Sequence, residues 1–147
     1  MLFRSLEHPP TFTLGRAATP ENLLVPSETL AAEGFALVQS DRGGDITYHG
    51  DGQLVGYPIL NLREPPHSQD LHRYLRDLEE VLIRTLAHFG IEGARFEGYT
   101  GVWVGMGTPS PKKIAAIGVK ASRWITLHGD RKSTRLNSSH LVISYAV

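Results

Sequence analysis

Two short stretches carry side chains whose types and spacing could do chemistry. The first reads Arg42-Gly43-Gly44-Asp45-Ile46-Thr47-Tyr48-His49 and continues through Gly50-Asp51-Gly52-Gln53. Its glycines let the backbone turn tightly and approach a ligand closely, because no Cβ stands in the way. Arg42, Thr47, Tyr48, His49 and Gln53 supply hydrogen-bonding groups around that approach. Spacing alone admits an equal alternative, a glycine-rich hairpin around a satisfied histidine. The second stretch is Lys113-Ile114-Ala115-Ala116-Ile117-Gly118-Val119, followed by Arg123-Trp124 and by Thr126-Leu127-His128-Gly129. A lysine that opens a run of small and apolar residues can be partly desolvated, and its ammonium then depresses the pKa of a neighbouring acid. For an isolated lysine, an exposed strand end is the commoner reading. Ala115, Ala116 and Gly118 leave room on a strand face, either for something slim or for close packing of a helix.

Other chemistries are poorly served. The sequence holds no cysteine, which excludes disulfides, thiolate metal sites and a cysteine nucleophile within these residues. A zinc site on His49 and His128 has little support, since no HExxH, no His-x-His and no third ligand at metal spacing accompanies them. No G-x-S-x-G, phosphate-binding loop or dinucleotide fingerprint occurs. Lys plus Arg equals Asp plus Glu at 15 each, so no overall basic field exists to hold nucleic acid or an anionic membrane. No apolar run approaches the roughly 18–20 residues of a spanning helix, and Met1–Ser5 lacks a signal peptide's apolar region. Residence in the cytoplasm is the expectation.

Stepping outward, 147 residues suffice for one domain with a real core. Thr11–Leu14 reads as a strand closed by Gly15. Thr19-Pro20-Glu21 predicts a short helix capped by Thr19 and running to Leu24, and Ser27 a second one reaching Glu33, stopped by Gly34. Phe35–Val38 reads as a buried strand, and Ile46–Tyr48 and Leu54–Leu60 as two more, divided by a turn at His49–Gly52. The best periodic segment, Ser68 to Phe89, carries Leu71, Tyr74, Leu75, Leu78, Val81, Leu82, Leu86 and Phe89 as one apolar stripe. Arg76 and Glu80 fall to its solvated face. Further strands are predicted at Ala94–Phe96, Gly101–Val104, Lys113–Val119 and Trp124–Leu127, with 105–111 as a hairpin link. Many strands around one long helix indicate an α/β domain of the α+β kind, a mixed sheet with packed helices.

Taken together, these strings resemble the octanoyl-[acyl-carrier-protein]:protein octanoyltransferases. The match takes in Glu7-His8-Pro9-Pro10, Thr13-Leu14-Gly15, Arg42 to Gly50, Gly52-Gln53 and Tyr57-Pro58-Ile59. It resumes with Gly101-Val102-Trp103, Lys113 to Gly118 and His128-Gly129, so it covers nearly everything from Leu6 to Gly129, in order. Asp51 stands where the family's turn carries a proline. The resemblance implies the fold shared with biotin and lipoate protein ligases, here incomplete. It also implies transfer of an octanoyl group from octanoyl-acyl-carrier protein to a lysine of lipoyl domains, through a cysteine thioester. The acceptors implied are the lipoyl domains of 2-oxoacid dehydrogenase E2 subunits and the glycine cleavage H protein. No cofactor, metal, nucleic acid or membrane is implied, and the enzyme is expected to act as a monomer. By carry-over, Lys113 matches the lysine that lowers the cysteine's pKa. Arg42, Gly43, Gly44, Asp45, Ile46, Thr47, Tyr48 and His49 match the first substrate-binding segment, Ala116, Ile117 and Gly118 the second, and Gly129 begins the third.

The family's nucleophile lies in a Pro-Cys-Gly segment downstream of the His-Gly motif, so an inactive fragment is expected. Residues 130–147 resemble a translated sequencing adapter, with Leu141-Val142 where a variable index falls, and residues 1–5 resemble the opposite end. The expected division is a partial catalytic domain over 6–129, with non-native ends at 1–5 and 130–147. The alternatives are an ATP-dependent lipoate or biotin protein ligase, and a non-catalytic binder of lipoyl domains or acyl chains.

Overall fold

A computed structural model describes residues 2–127 and 140–144. Its largest sheet has six strands in the order β1 (Leu2–Leu6), β5 (Gln53–Ile59), β11 (His140–Ser144), β8 (Lys112–Gly118), β7 (Val102–Val104) and β6 (Gly93–Ala94). Every neighbouring pair in it is antiparallel. A second sheet places β2 (Thr11–Leu14) between β3 (Ala36–Gln39), parallel to it, and β4 (Ile46–His49), antiparallel. The short β9 (Ala121–Ser122) and β10 (Ile125–Thr126) pair with each other. Buried Thr126 ties β10 to the end of β5, donating to the Pro58 carbonyl and accepting from the Leu60 amide, both at 2.8 Å.

The long helix, α2 (Leu71–His88), starts three residues later than its periodicity suggests. Asp70 ends the preceding segment because its carboxylate accepts from the amides of His72 and Arg73, at 2.9 and 3.0 Å. Gly90, at φ +73°, turns the chain away at the other end. Leu82 and Leu86 pack on Val102, Ile114 and Ala115, while Tyr74 packs on Leu60 and Leu62. The expected stripe is narrower than read. Val81 is 58% exposed, since it stands about 100° round the helix from Leu82. Leu71 and Phe89 are exposed at the two ends. Inside the buried arc sits an acid instead, Glu79, at 1% exposure.

Other expectations shift locally. The turn at Pro20–Asn22 is a single 3₁₀ turn, and Thr19 makes no side-chain cap. The helix α1 (Ser27–Ala32) has Pro26 at its N-cap, with Ser27 inside it. The strand expected to be buried over Phe35–Val38 is β3, whose Ala36, Leu37 and Gln39 are exposed, because it stands at the edge of its sheet with a strand partner on one side only among the described residues. The strand expected at Ala94–Phe96 shrinks to Gly93–Ala94, which frees Phe96 to join an aromatic cluster. Trp124 is not a strand residue: with Arg123 it forms the left-handed turn between β9 and β10, at φ +64° and +49°.

Candidate active site

The loop after β3, the strand β4 and the strand β8 face one another across a cavity of about 380 Å³. That falls within the roughly 300–1,000 Å³ typical of small-molecule sites. One wall is the run from Arg42 to Tyr48, and the opposite wall is Ala116, Ile117 and Gly118. Lys113 and Thr100 complete the lining. The two stretches singled out by residue type, some seventy positions apart in the chain, thus meet around one space.

The first wall is held from behind. Arg42 is 3% exposed, and its guanidinium donates to the Thr13 carbonyl at 2.8 Å, the Thr13 hydroxyl at 2.9 and 3.3 Å, and the Gly43 carbonyl at 3.1 Å. Among the described residues no carboxylate is ion-paired with it. Burial pulls its pKa down, and the charge of Asp45 pushes back. The loop is stitched to residues 15–17 by backbone bonds from Gly15 to Asp45, Arg16 to Arg42 and Ala17 to Gly44. A Cβ at Gly15 would overlap the Gly44 carbonyl oxygen, so only glycine permits this approach. Asp45 accepts from the side chain of Asn22 and from the Ile46 amide. Tyr48 packs its ring against Phe12 and Phe35.

His49 belongs to this wall in sequence but not to the cavity. It is 2% exposed, shares a hydrogen bond of 3.0 Å with the Thr13 hydroxyl, and lies edge-on to His8 at 5.5 Å. His8 in turn shares a bond of 2.8 Å with the Tyr57 hydroxyl. Burial, reinforced by the nearby His8 and Arg42 charges, pushes His49 down to about 4, so it is neutral at neutral pH. Among the described residues no three of His, Asp and Glu converge on a metal position. His128 and Gly129 lie outside the described residues.

The geometry of the second wall depends on an irregularity. Val102 pairs with Ala115, but its neighbour Trp103 pairs with Lys113, leaving Ile114 as an extra residue in β8. Such a bulge turns two successive side chains to the same side. Ile114 and Ala115 both enter the core against α2. Lys113, Ala116 and Gly118 consequently share the cavity side, which strict alternation would not allow for positions 113 and 116. Ala115, expected to line a slim slot, is fully buried in the core, and the slot is formed by Ala116 and Gly118 without it. A Cβ at Gly118 would press on Arg42 Cδ at 3.3 Å and the Gly43 carbonyl at 3.4 Å, so the two walls nearly touch there.

Lys113 reaches the cavity with its Nζ 5.0 Å from the centroid of the Trp103 ring. Partial burial lowers its pKa from the ordinary lysine value. Its stem passes Gly101, whose φ is +118° and whose missing Cβ would clash with the Ala115 carbonyl. Gly101 is held by Glu79, which sequence reasoning left out: one carboxylate oxygen accepts from the Gly101 amide at 2.9 Å, the other from Arg76 at 2.7 Å and Arg95 at 3.1 Å. An acid within the apolar arc of a helix, three residues before Leu82, was the available signal. Thr100 was missed too, with only its place beside Gly101 to mark it. The arrangement can receive a slim, largely apolar group and present one ammonium to whatever reacts at its head.

A profile of the lipoyl protein ligase A/B catalytic domain matches residues 1–142. An octanoyltransferase of Flavobacterium johnsoniae is 56% identical over 124 residues, which is 84% of this chain and 53% of that protein. One from Myxococcus xanthus is 48% identical, over 92% of this chain and 38% of that protein. Among solved structures, a putative lipoate protein ligase of Thermoplasma acidophilum with bound lipoic acid superposes with a TM-score of 0.72 at 16% identity, covering 96% of this chain and 53% of that one. A lipoate-protein ligase A bound with ATP gives 0.72 at 15%, covering 96% and 52%. These two likenesses establish the fold. The chain spans about half the length of the first of these curated relatives.

Proposed function

The chain belongs to the lipoyl protein ligase A/B catalytic-domain family, and from that premise we propose that it forms the acyl-binding part of an octanoyltransferase. In this reading the whole protein takes an octanoyl group from octanoyl-acyl-carrier protein and delivers it to a lysine of a lipoyl domain. A thiolate attacks the carrier's thioester, the carrier thiol leaves, and an enzyme thioester remains. The acceptor amine then attacks that thioester, an amide forms, and the thiolate is released. The sequence holds no cysteine, so the thiol is assigned to a part of the protein beyond these residues. The acceptors proposed are the lipoyl domains of 2-oxoacid dehydrogenase complexes and the glycine cleavage H protein, met in the cytoplasm by a monomeric enzyme.

The observation that carries this reading is the shared cavity. The glycine loop and the Ala116–Gly118 wall line one cavity of about 380 Å³, room enough for an alkyl chain, and Lys113 stands on its lining. An ammonium beside a thiol favours the thiolate, which is the form that attacks. Identity near half to octanoyltransferases, against likeness to ligases at the level of fold, supports transfer over ATP-dependent ligation.

The test joins this chain to the second half of the Flavobacterium johnsoniae octanoyltransferase and incubates the chimaera with octanoyl-acyl-carrier protein. A covalent octanoyl adduct is expected without ATP. Lys113→Met should slow its formation roughly 10- to 100-fold, the gain in thiolate fraction being partly offset by nucleophilicity. An adduct that requires ATP and passes through an acyl-adenylate would establish the ligase reading instead. The 147-residue chain alone should take up no adduct.

A further inference from the structure

Lys113 has no carboxylate partner among the described residues. What stands beside it is an aromatic face, Trp103, at 5.0 Å. The contact is built in by the register of β7 and β8: a regular ladder would set Ile114 opposite Trp103, and the bulge sets Lys113 there. Trp103 is itself fixed by Phe96 at 5.1 Å and Tyr99 at 5.9 Å, which stack edge-on against each other at 5.3 Å. Behind the pair, the Glu79 carboxylate anchors Gly101, the residue that leads into β7 and lets the lysine stem pass.

We propose that Trp103 is a positioning residue whose indole face holds the Lys113 ammonium at the cavity without neutralising it. The inference rests on the reading of Lys113 as the group that favours a thiolate. A carboxylate would hold the ammonium just as firmly but would cancel its field at any nearby sulfur. An aromatic ring attracts a cation through its quadrupole while carrying no net charge. The positive charge therefore stays available to the reaction. Partial burial works against the charged form of Lys113, and the ring face works for it.

The test uses the full chain. Its tryptophans are replaced biosynthetically by mono-, di- and tetrafluorotryptophan, which drain the ring face of negative charge at nearly constant shape. Each form is labelled with limiting acetic anhydride across a pH series, and the Lys113 and Lys112 peptides are quantified by mass spectrometry. The labelling midpoint of Lys113 should fall stepwise with fluorine content, by about half a pH unit at the end of the series. Lys112 should not move. Trp103→Phe should keep the midpoint near that of the parent, and Trp103→Leu should lower it. Trp124→Phe in the fluorinated series isolates Trp103, since these are the two tryptophans of the sequence. A Lys113 midpoint that stays put across the series, or moves together with Lys112, would overturn the proposal. Because the readout is the amine's own titration, loss of octanoyl transfer leaves it untouched. An unmoved midpoint in a chain whose chimaera still transfers octanoyl groups defeats the role of Trp103 alone.

Discussion

Two cations face the same cavity and are held in opposite ways. Arg42, on the loop side, is buried and turns its guanidinium donors inward, to Thr13 and to the Gly43 carbonyl. Lys113, on the β8 side, is more exposed and rests on a ring face, with no ion-paired carboxylate among the described residues. A guanidinium whose donors are occupied by its own chain serves as architecture, for its geometry cannot change without breaking the wall. An ammonium on an aromatic face retains both its charge and its freedom to respond. The contrast separates the residue that shapes the cavity from the residue we propose to act in it, although both were read from sequence as site residues.

The largest expected effect comes from breaking the first side of this contrast. Arg42→Met should destabilise the fold by about 3–5 kcal/mol, because it leaves the part-buried Thr13 carbonyl and hydroxyl and the Gly43 carbonyl without their guanidinium donors. Urea unfolding measures it. Were the loss below about 1 kcal/mol, Arg42 would belong with Lys113 as a group held for function.

Acid should weaken the same side next. The folded chain protonates His49 at about 4, and the unfolded chain near 6.5. Between those values the unfolded state binds a proton that the folded state refuses, so stability falls as pH drops through that window. The loss is on the order of 3 kcal/mol. His8, also lowered by burial, contributes in the same direction. Urea midpoints from about pH 7 to about pH 4 should show this slope, and His49→Gln should flatten it.

On the other side, Glu79→Gln removes a buried charge yet keeps an acceptor for the Gly101 amide. It should cost about 2 kcal/mol through the loss of the Arg76 and Arg95 pairings. A matched loss in Arg95→Met, non-additive in the double variant, would tie the cost to this network. The smallest effect is Lys113→Met, expected to change stability by less than about 0.5 kcal/mol. A larger loss would make Lys113 a structural cation and erase the contrast with Arg42.

Much of this was legible residue by residue. The existence of α2 and its end near Phe89 followed from apolar spacing, because periodicity is a local property; its start at Leu71 was set by the Asp70 cap, where the spacing had suggested Ser68. The turn between β4 and β5 followed from Gly50 and Gly52 for the same reason. The Arg123-Trp124 turn was illegible, since neither residue ordinarily adopts positive φ and the strands on either side impose it. The exposure of β3 could not be read from Leu37 and Val38, which look the same on an edge as in a core.

At the site, the residue types of both walls were visible in the chain, and so was the small-residue run that leaves space between them. Their order and chemistry are written in one dimension, and the comparison with relatives draws on the same information. Tertiary structure decided three further things: that Lys113 shares a side with Ala116 and Gly118, that Ala115 goes to the core, and that Glu79 is buried on an amide. The physical reason is common to all three. Strand register and desolvation are set by what packs against a residue, and a bulge of one position reverses every side chain beyond it without leaving a mark in the local sequence.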